Sequence, residues 1–224
     1  MVITCAIYVA DFNTHGSIEM KLYYKPGACS MAAHIIFNEM GADYRLEKVD
    51  TQTRFTESGA NYRDINPRGY VPALELDDGT VLTENAAILY YLAADHDQGH
   101  DQSQAPARLA VARQQEALSF LSSELHKAFT PFFSGELDSD AKREHALRRL
   151  MRQIDHVEAM LADGRPWLSG DSFGVVDAYA FVILNWTHFI GVALDDWPHA
   201  RAFHLRVAAR PATQRALAEE GLAS

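Results

Sequence analysis

Asn66-Pro67-Arg68-Gly69-Tyr70-Val71-Pro72-Ala73-Leu74-Glu75-Leu76-Asp77-Asp78-Gly79-Thr80-Val81-Leu82-Thr83-Glu84-Asn85-Ala86-Ala87-Ile88-Leu89 is the stretch on which the fold turns. Val71 to Leu76 reads as a strand. Asp77 to Thr80 reads as a hairpin turn, because Asp and Gly tolerate the positive φ that such turns demand. Val81 to Thr83 is the returning strand. Glu84 to Ala94 follows as a helix, with Ala87, Ile88, Tyr91 and Leu92 on its buried side. Pro72 has no N–H to give to a ladder. With a cis peptide before it, the Val71 backbone would face outward and could pair antiparallel with a peptide-like ligand. On local pattern alone, an ordinary edge-strand proline is the better explanation of the same residue.

Upstream, Lys21 to Lys25 is a short β-prone run ended by Pro26-Gly27. Ser30 to Met40 is helical, with Met31, Ile35, Ile36 and Met40 at helical spacing and Gly41 as its stop. Tyr44 to Val49 alternates like a strand, and Thr56 to Asp64 is a weak, polar helix candidate. The order β-α-β-α-β-β-α describes a small α/β domain with a mixed sheet, residues 20–95. The polar run DHDQGHDQSQ, residues 95–104, reads as a linker, with residues 96–104 assigned to it. The following residues, 105–224, are helical throughout. Ala105 to Phe129, Ala141 to Leu161, Val175 to Ile190, His199 to Ala209 and Ala212 to Gly221 are the expected helices. Val175 to Ile190 is almost wholly apolar and is expected to be the buried centre.

Of the 224 residues, 48% are hydrophobic and 22% charged, enough to bury a core without metal or disulfide staples. The net charge of −10 argues against a nucleic-acid partner. No apolar run reaches the roughly 20 residues of a membrane span. Cys5 and Cys29 are too few for a disulfide framework or a zinc site, which fits a reducing cytoplasm. Residues 1–19 lack a signal-peptide pattern and read as an extension before a second plausible start, Met20.

Three short motifs carry chemistry. Cys29 lies between a strand end and a helix start, where free N–H groups and the helix dipole favour an anion and lower a thiol's pKa. The stabilised sulfur could be its own or a ligand's. A small buried residue with Ser30 as a plain N-cap is the competing reading. The Val71-Pro72 corner is the second motif. Glu84 and Asn85, at a strand-to-helix junction, are the third: they can meet a ligand's amino and carboxylate groups, or simply cap the helix with Thr83. His96 and His100 have no metal-site spacing, and no metal is expected. His145 and His156 sit on a charged, solvated helix, and Trp167, Trp186 and Trp197 read as packing.

In order and spacing these motifs resemble the cytosolic glutathione S-transferases, most closely the bacterial beta class. KLYYKPGACS (21–30), NPRGYVPALELDDGTVLTENAAILYYLA (66–93), ELHKAFTPFF (124–133), WLSGDSFGVVDAYAFVIL (167–184) and RPATQRAL (210–217) carry the resemblance, which runs from about Met20 to the C-terminus. It implies a thioredoxin-like N-terminal domain with cis-Pro72, an all-helical C-terminal domain, a cytoplasmic homodimer, and glutathione as co-substrate with a small hydrophobic electrophile. Cys29 corresponds to the cysteine beside the glutathione sulfur, with Ser30 as a hydroxyl donor and His126 approaching from the helical domain. The Val71 backbone would pair with the cysteinyl unit, flanked by Tyr70 and Pro72. Glu84, as a buried carboxylate, and Asn85 would hold the γ-glutamyl end. Arg54 stands where the class often has a lysine for the glycyl carboxylate. Ser119 replaces an asparagine that touches the ligand in some members. Gly174 replaces the Ser or Thr that precedes the buried helix, while Asp177 keeps that motif's acidic member. Phe129, Phe132, Phe133 and Trp186 are expected around the electrophile.

Three activities compete at this stage. The first is conjugation of glutathione to electrophiles in detoxification. The second is a glutathione-dependent thiol–disulfide reaction with Cys29 as covalent relay, forming a mixed disulfide with oxidised glutathione while Cys5 serves as control. The third is a non-catalytic binding protein on the same scaffold.

Overall fold

The computed structural model of the protein describes residues 20–96 and 105–223. The N-terminal extension 1–19 with Cys5, and the linker beyond His96 with His100, lie outside the described residues.

The first unit is a five-stranded sheet in the order β3-β2-β1-β4-β5. Its strands are β1 (Met20–Tyr24), β2 (Tyr44–Asp50), β3 (Phe55–Thr56), β4 (Ala73–Glu75) and β5 (Val81–Thr83). β1 and β2 run parallel, joined by helix α1 (Met31–Met40), and the other pairings are antiparallel. The hairpin after β4 closes as its sequence dictates. Gly79 takes φ 82, and the Leu76 N–H donates to the Thr80 carbonyl at 2.8 Å. α3 (Asn85–His96) then covers the sheet.

The helix expected over Thr56–Asp64 does not form. Phe55–Thr56 pairs instead with Val49–Asp50 as β3, and a single turn, α2 (Tyr62–Ile65), follows. Local side-chain bonds outcompete the helix there. The Thr56 hydroxyl accepts the Ala60 N–H at 3.1 Å, and Gly59 takes φ 88, which ends any helical run.

The second unit is helical: α4 (Ala105–Phe120), α5 (His126–Phe133), α6 (Asp140–Leu161), α7 (Val175–Asn185), α8 (Thr187–Ile190), α9 (Pro198–Ala208) and α10 (Pro211–Glu219). Every residue from Val175 to Leu184 is buried, as the apolar run predicts. α1 packs on α7 and α10, so one continuous core spans both units. Each fully buried Leu, Ile or Phe in it contributes roughly 1.5–3 kcal/mol.

The single helix expected over Ala105–Phe129 is broken in phase. A π turn, Leu121–Leu125, separates α4 from α5, and the His126 N–H bonds back to the Leu121 carbonyl. The cause lies in the serines. The hydroxyls of Ser122 and Ser123 both donate to the Ser119 carbonyl, at 3.1 and 2.8 Å, competing with the regular ladder. π turns rotate the following side chains relative to the preceding helix, and they recur at functional sites.

Candidate active site

The cysteine corner is built by a tight loop between β1 and α1. Gly27 adopts φ 71, and the Ala28 N–H returns to the Lys25 carbonyl at 3.0 Å. The Ser30 hydroxyl is buried and spans the Lys25 backbone, accepting from its N–H and donating to its carbonyl, both at 3.3 Å. It therefore closes the loop. Its proton is directed to that carbonyl, and Ser30 makes no side-chain cap bond, which corrects the plain N-cap reading.

Cys29 is 8% exposed, and its thiol donates to the Val71 carbonyl at 3.6 Å. Burial pushes this thiol up to about 12, against the opposing pull of the Cys29 and Ser30 N–H groups and of Lys127. The N–H groups act in the expected direction, but desolvation is larger, so of the two sulfurs the sequence left open the corner does not favour an anion on Cys29 itself. Cys29 is a hydrogen-bond donor at neutral pH. The Val71–Pro72 peptide is cis, and the Val71 N–H has no partner among the described residues.

The loop is also held from the helical unit. The Gly27 N–H donates to Glu220 Oε2 at 2.8 Å, and the Gly27 carbonyl accepts from Trp186 Nε1 at 2.8 Å. Buried His34 of α1 contacts Glu220 through Nδ1 at 2.9 Å and Glu219 through Nε2 at 2.6 Å. These partners escaped the sequence reading because nothing local marks them: they lie more than 150 residues away along the chain.

Glu84 stands at the β5–α3 corner with φ 71, an unusual conformation for a non-glycine residue. Its carboxylate accepts from the Tyr70 hydroxyl at 2.6 Å and from Arg68. The structure thus joins Glu84 to Tyr70 and adds Arg68, which the sequence reading missed. Glu84 was expected to be buried, but its side chain is 52% exposed because the corner turns it outward. Asn85 behaves oppositely. It is 6% exposed, and both polar atoms of its amide lack a hydrogen-bond partner. Buried amides are almost always paired, so an unpaired one at a helix start marks a place for a ligand. Arg54, at φ 68, donates to the Gly69 carbonyl beside this corner.

His126 opens α5 directly after the π turn. Its Nδ1 meets the Tyr179 hydroxyl of α7 at 2.8 Å, and its ring lies edge-on to Trp186 at 4.8 Å. Burial, then Lys127, pushes His126 down to about 4, so the ring is neutral. Trp186 also meets Phe129 at 5.6 Å and Phe133 at 5.8 Å. Phe133 is 54% exposed and presents this aromatic wall, whereas fully buried Phe129 backs it and does not line it. Ser119, the position compared with a ligand-touching asparagine, is exposed and engages Ser122 and Ser123 through its carbonyl.

Residues 27–95 match the family described as Glutathione S-transferase, N-terminal domain, and residues 120–211 match Glutathione S-transferase, C-terminal domain. The chain is 40% identical to Glutathione S-transferase GstA of Escherichia coli O157:H7, over 91% of this chain and all of that one. The chain belongs to the glutathione S-transferase family. Two solved structures place this transferase further. A sphingomonad glutathione S-transferase complexed with glutathione superposes with a TM-score of 0.81 at 41% identity, covering 91% of this chain and 100% of the other. The bacterial beta class glutathione S-transferase of Sphingomonas chungbukensis gives 0.82 at 39%, covering 90% and 99%. The matched segments contain the transferase's Cys29, Val71-Pro72, Glu84-Asn85 and His126-Tyr179 groups.

Proposed function

We propose that this transferase conjugates the glutathione thiolate to small hydrophobic electrophiles. The observation that carries the reading is the juxtaposition at the Val71 corner: a protonated, buried Cys29 thiol beside a Val71 N–H free to pair. A thiol held in that form can donate to a ligand's anionic sulfur, and two thiolates in contact would repel. The Val71 backbone, flanked by Tyr70 and Pro72, pairs with the cysteinyl unit. Glu84 and Asn85 hold the γ-glutamyl end, and Arg54 serves the glycyl carboxylate. His126 contributes an N–H donor. In the reaction a sulfur–carbon bond forms, the leaving group departs with its electron pair, and the thiol proton passes to solvent. Phe133 and Trp186 offer the apolar face for the electrophile.

The same reading makes the transferase a cytoplasmic homodimer. Among the described residues no helix is long and apolar enough to cross a membrane. Sedimentation should give twice the chain mass, and a monomer at micromolar concentration would count against pairing. For the activity, chlorodinitrobenzene conjugation is measured beside reduction of hydroxyethyl disulfide. Conjugation should dominate, because burial keeps Cys29 from forming the thiolate that a redox relay requires. Disulfide reduction without conjugation would sink the reading.

A further inference from the structure

We propose that Tyr179 is a positioning residue for His126: its hydroxyl donates to Nδ1, fixes the ring as the Nε2–H tautomer, and reserves that N–H for the bound sulfur. This rests on the conjugation reading for the identity of the sulfur, though not for the tautomer. Tyr179 is 1% exposed on the buried central helix, so its hydroxyl has little freedom to turn away. The O···Nδ1 distance is 2.8 Å. His126 Nε2 has no partner among the described residues, and the ring is only partly buried.

The second observation is the unpaired Asn85 amide. It lies close enough to the Tyr179 hydroxyl to favour the ionised phenol, although neither amide atom reaches hydrogen-bond geometry. A phenol has one proton to give and lone pairs to offer. If that proton goes to His126 Nδ1, the oxygen can accept from the Asn85 NH2 group, and the amide oxygen is left for the ligand's ammonium. The reverse order would send the His126 proton toward Tyr179 and turn a bare Nε2 lone pair toward an anionic sulfur, which is repulsive. One hydroxyl therefore joins the two ends of the proposed glutathione site, through residues of both units.

The charged and titratable neighbours do not provide another proton for this line. Lys127 faces His126, and Cys29 and Glu84 face Tyr179. Burial pushes the Tyr179 phenol up, so it stays a neutral donor.

The tautomer is read directly by 15N NMR of the ligand-free, full-length protein. His126 should show an unprotonated Nδ1 and a protonated Nε2, and Tyr179→Phe should populate both tautomers. This readout decides the inference even in a protein that conjugates nothing. In the kinetic arm, Tyr179→Phe should raise the pKa of bound glutathione and lower kcat/KM by about two- to fivefold near neutral pH, as the share of rings presenting Nε2–H falls. KM for glutathione should stay within about twofold. In a His126→Ala background the same substitution should cost nothing more, since Tyr179 acts through the histidine. A wild-type ring protonated on Nδ1 would overturn the proposal. So would a Tyr179→Phe loss that persists undiminished without His126.

Discussion

Cys29 shows how two opposing effects are decided by magnitude. Two backbone N–H groups and Lys127 favour its thiolate, and burial opposes it more strongly, leaving the pKa at about 12. The thiolate fraction at neutral pH is then very small, and only the thiolate is nucleophilic. Alkylation of Cys29 by iodoacetamide near pH 7.5 should be at least about tenfold slower than alkylation of free glutathione. A rate equal to or faster than glutathione's would show that the corner activates the cysteine after all. The mixed disulfide with oxidised glutathione should be slow to form for the same reason. Glu84 tests a different balance. Its carboxylate is half exposed and already shared between Tyr70 and Arg68. Exposed ion pairs contribute about 1 kcal/mol or less, so Glu84→Ala should weaken glutathione binding by a factor of about five at most. Titration calorimetry showing a hundredfold loss would mean that the ligand buries this carboxylate fully.

Elements whose signals are local were legible in the sequence, and those decided by distant partners were not. The hairpin after β4 follows from Asp78 and Gly79 alone, because the turn's own residues supply its bonds. α7 follows from its unbroken apolar run. The π turn escaped because periodicity does not register hydroxyls that bond to a carbonyl three or four residues back. β3 escaped because two residues are too few to alternate. At the site, Cys29, Val71 and Asn85 were legible from motif order. Trp186 was expected near the electrophile but not as a donor to the cysteine loop, and Tyr179 and Glu220 carried no local signal at all. Asp177 lies between these cases. Its carboxylate accepts the Leu168 N–H at 2.7 Å and the Gly174 N–H at 2.9 Å, entirely buried. Gly174 has no side chain to return the cap, so Asp177 holds the start of α7 alone. Asp177→Ala leaves the buried Leu168 N–H and the partly buried Gly174 N–H without this partner, at about 1–3 kcal/mol for a fully buried donor. Urea unfolding should show a loss of a few kcal/mol, with Asp177→Asn intermediate because its amide keeps one acceptor oxygen. A loss under about 1 kcal/mol would mean that water or a rearranged loop satisfies both donors.

For the molecule as a whole, buried titratable groups in the helical unit set the response to acid. His126 and His204 are both pushed down to about 4, by burial first, then by Lys127 and His188 respectively. In the unfolded chain each ring takes up its proton near pH 6.5, at about the ordinary histidine value. Between those limits the unfolded state binds more protons, so stability falls as pH falls. Asp177 has the opposite sign. Burial lifts it to about 6, against the bonds from Ser169, Gly174 and Leu168. Its folded form takes up a proton well above the unfolded value of about 3.9, and acidification through that window adds stability. Glu47, Glu75 and Glu219 are lowered, so what they contribute is lost only below the ordinary carboxylate range. Two histidines against one aspartate leave a net loss of a few kcal/mol, at about 1.4 kcal/mol per group and pH unit. The net charge of −10 relaxes over the same range, which favours the folded state slightly and is screened by salt. The thermal midpoint at physiological ionic strength should therefore drop steadily from about pH 7 to about pH 5. His204→Gln, remote from the Cys29 corner, should remove most of that slope, because one histidine then stands against one aspartate, while leaving glutathione binding unchanged. A midpoint that stays flat across the range would mean that the two rings are protonated in the fold. A slope untouched by His204→Gln would assign the acid response to His126 alone.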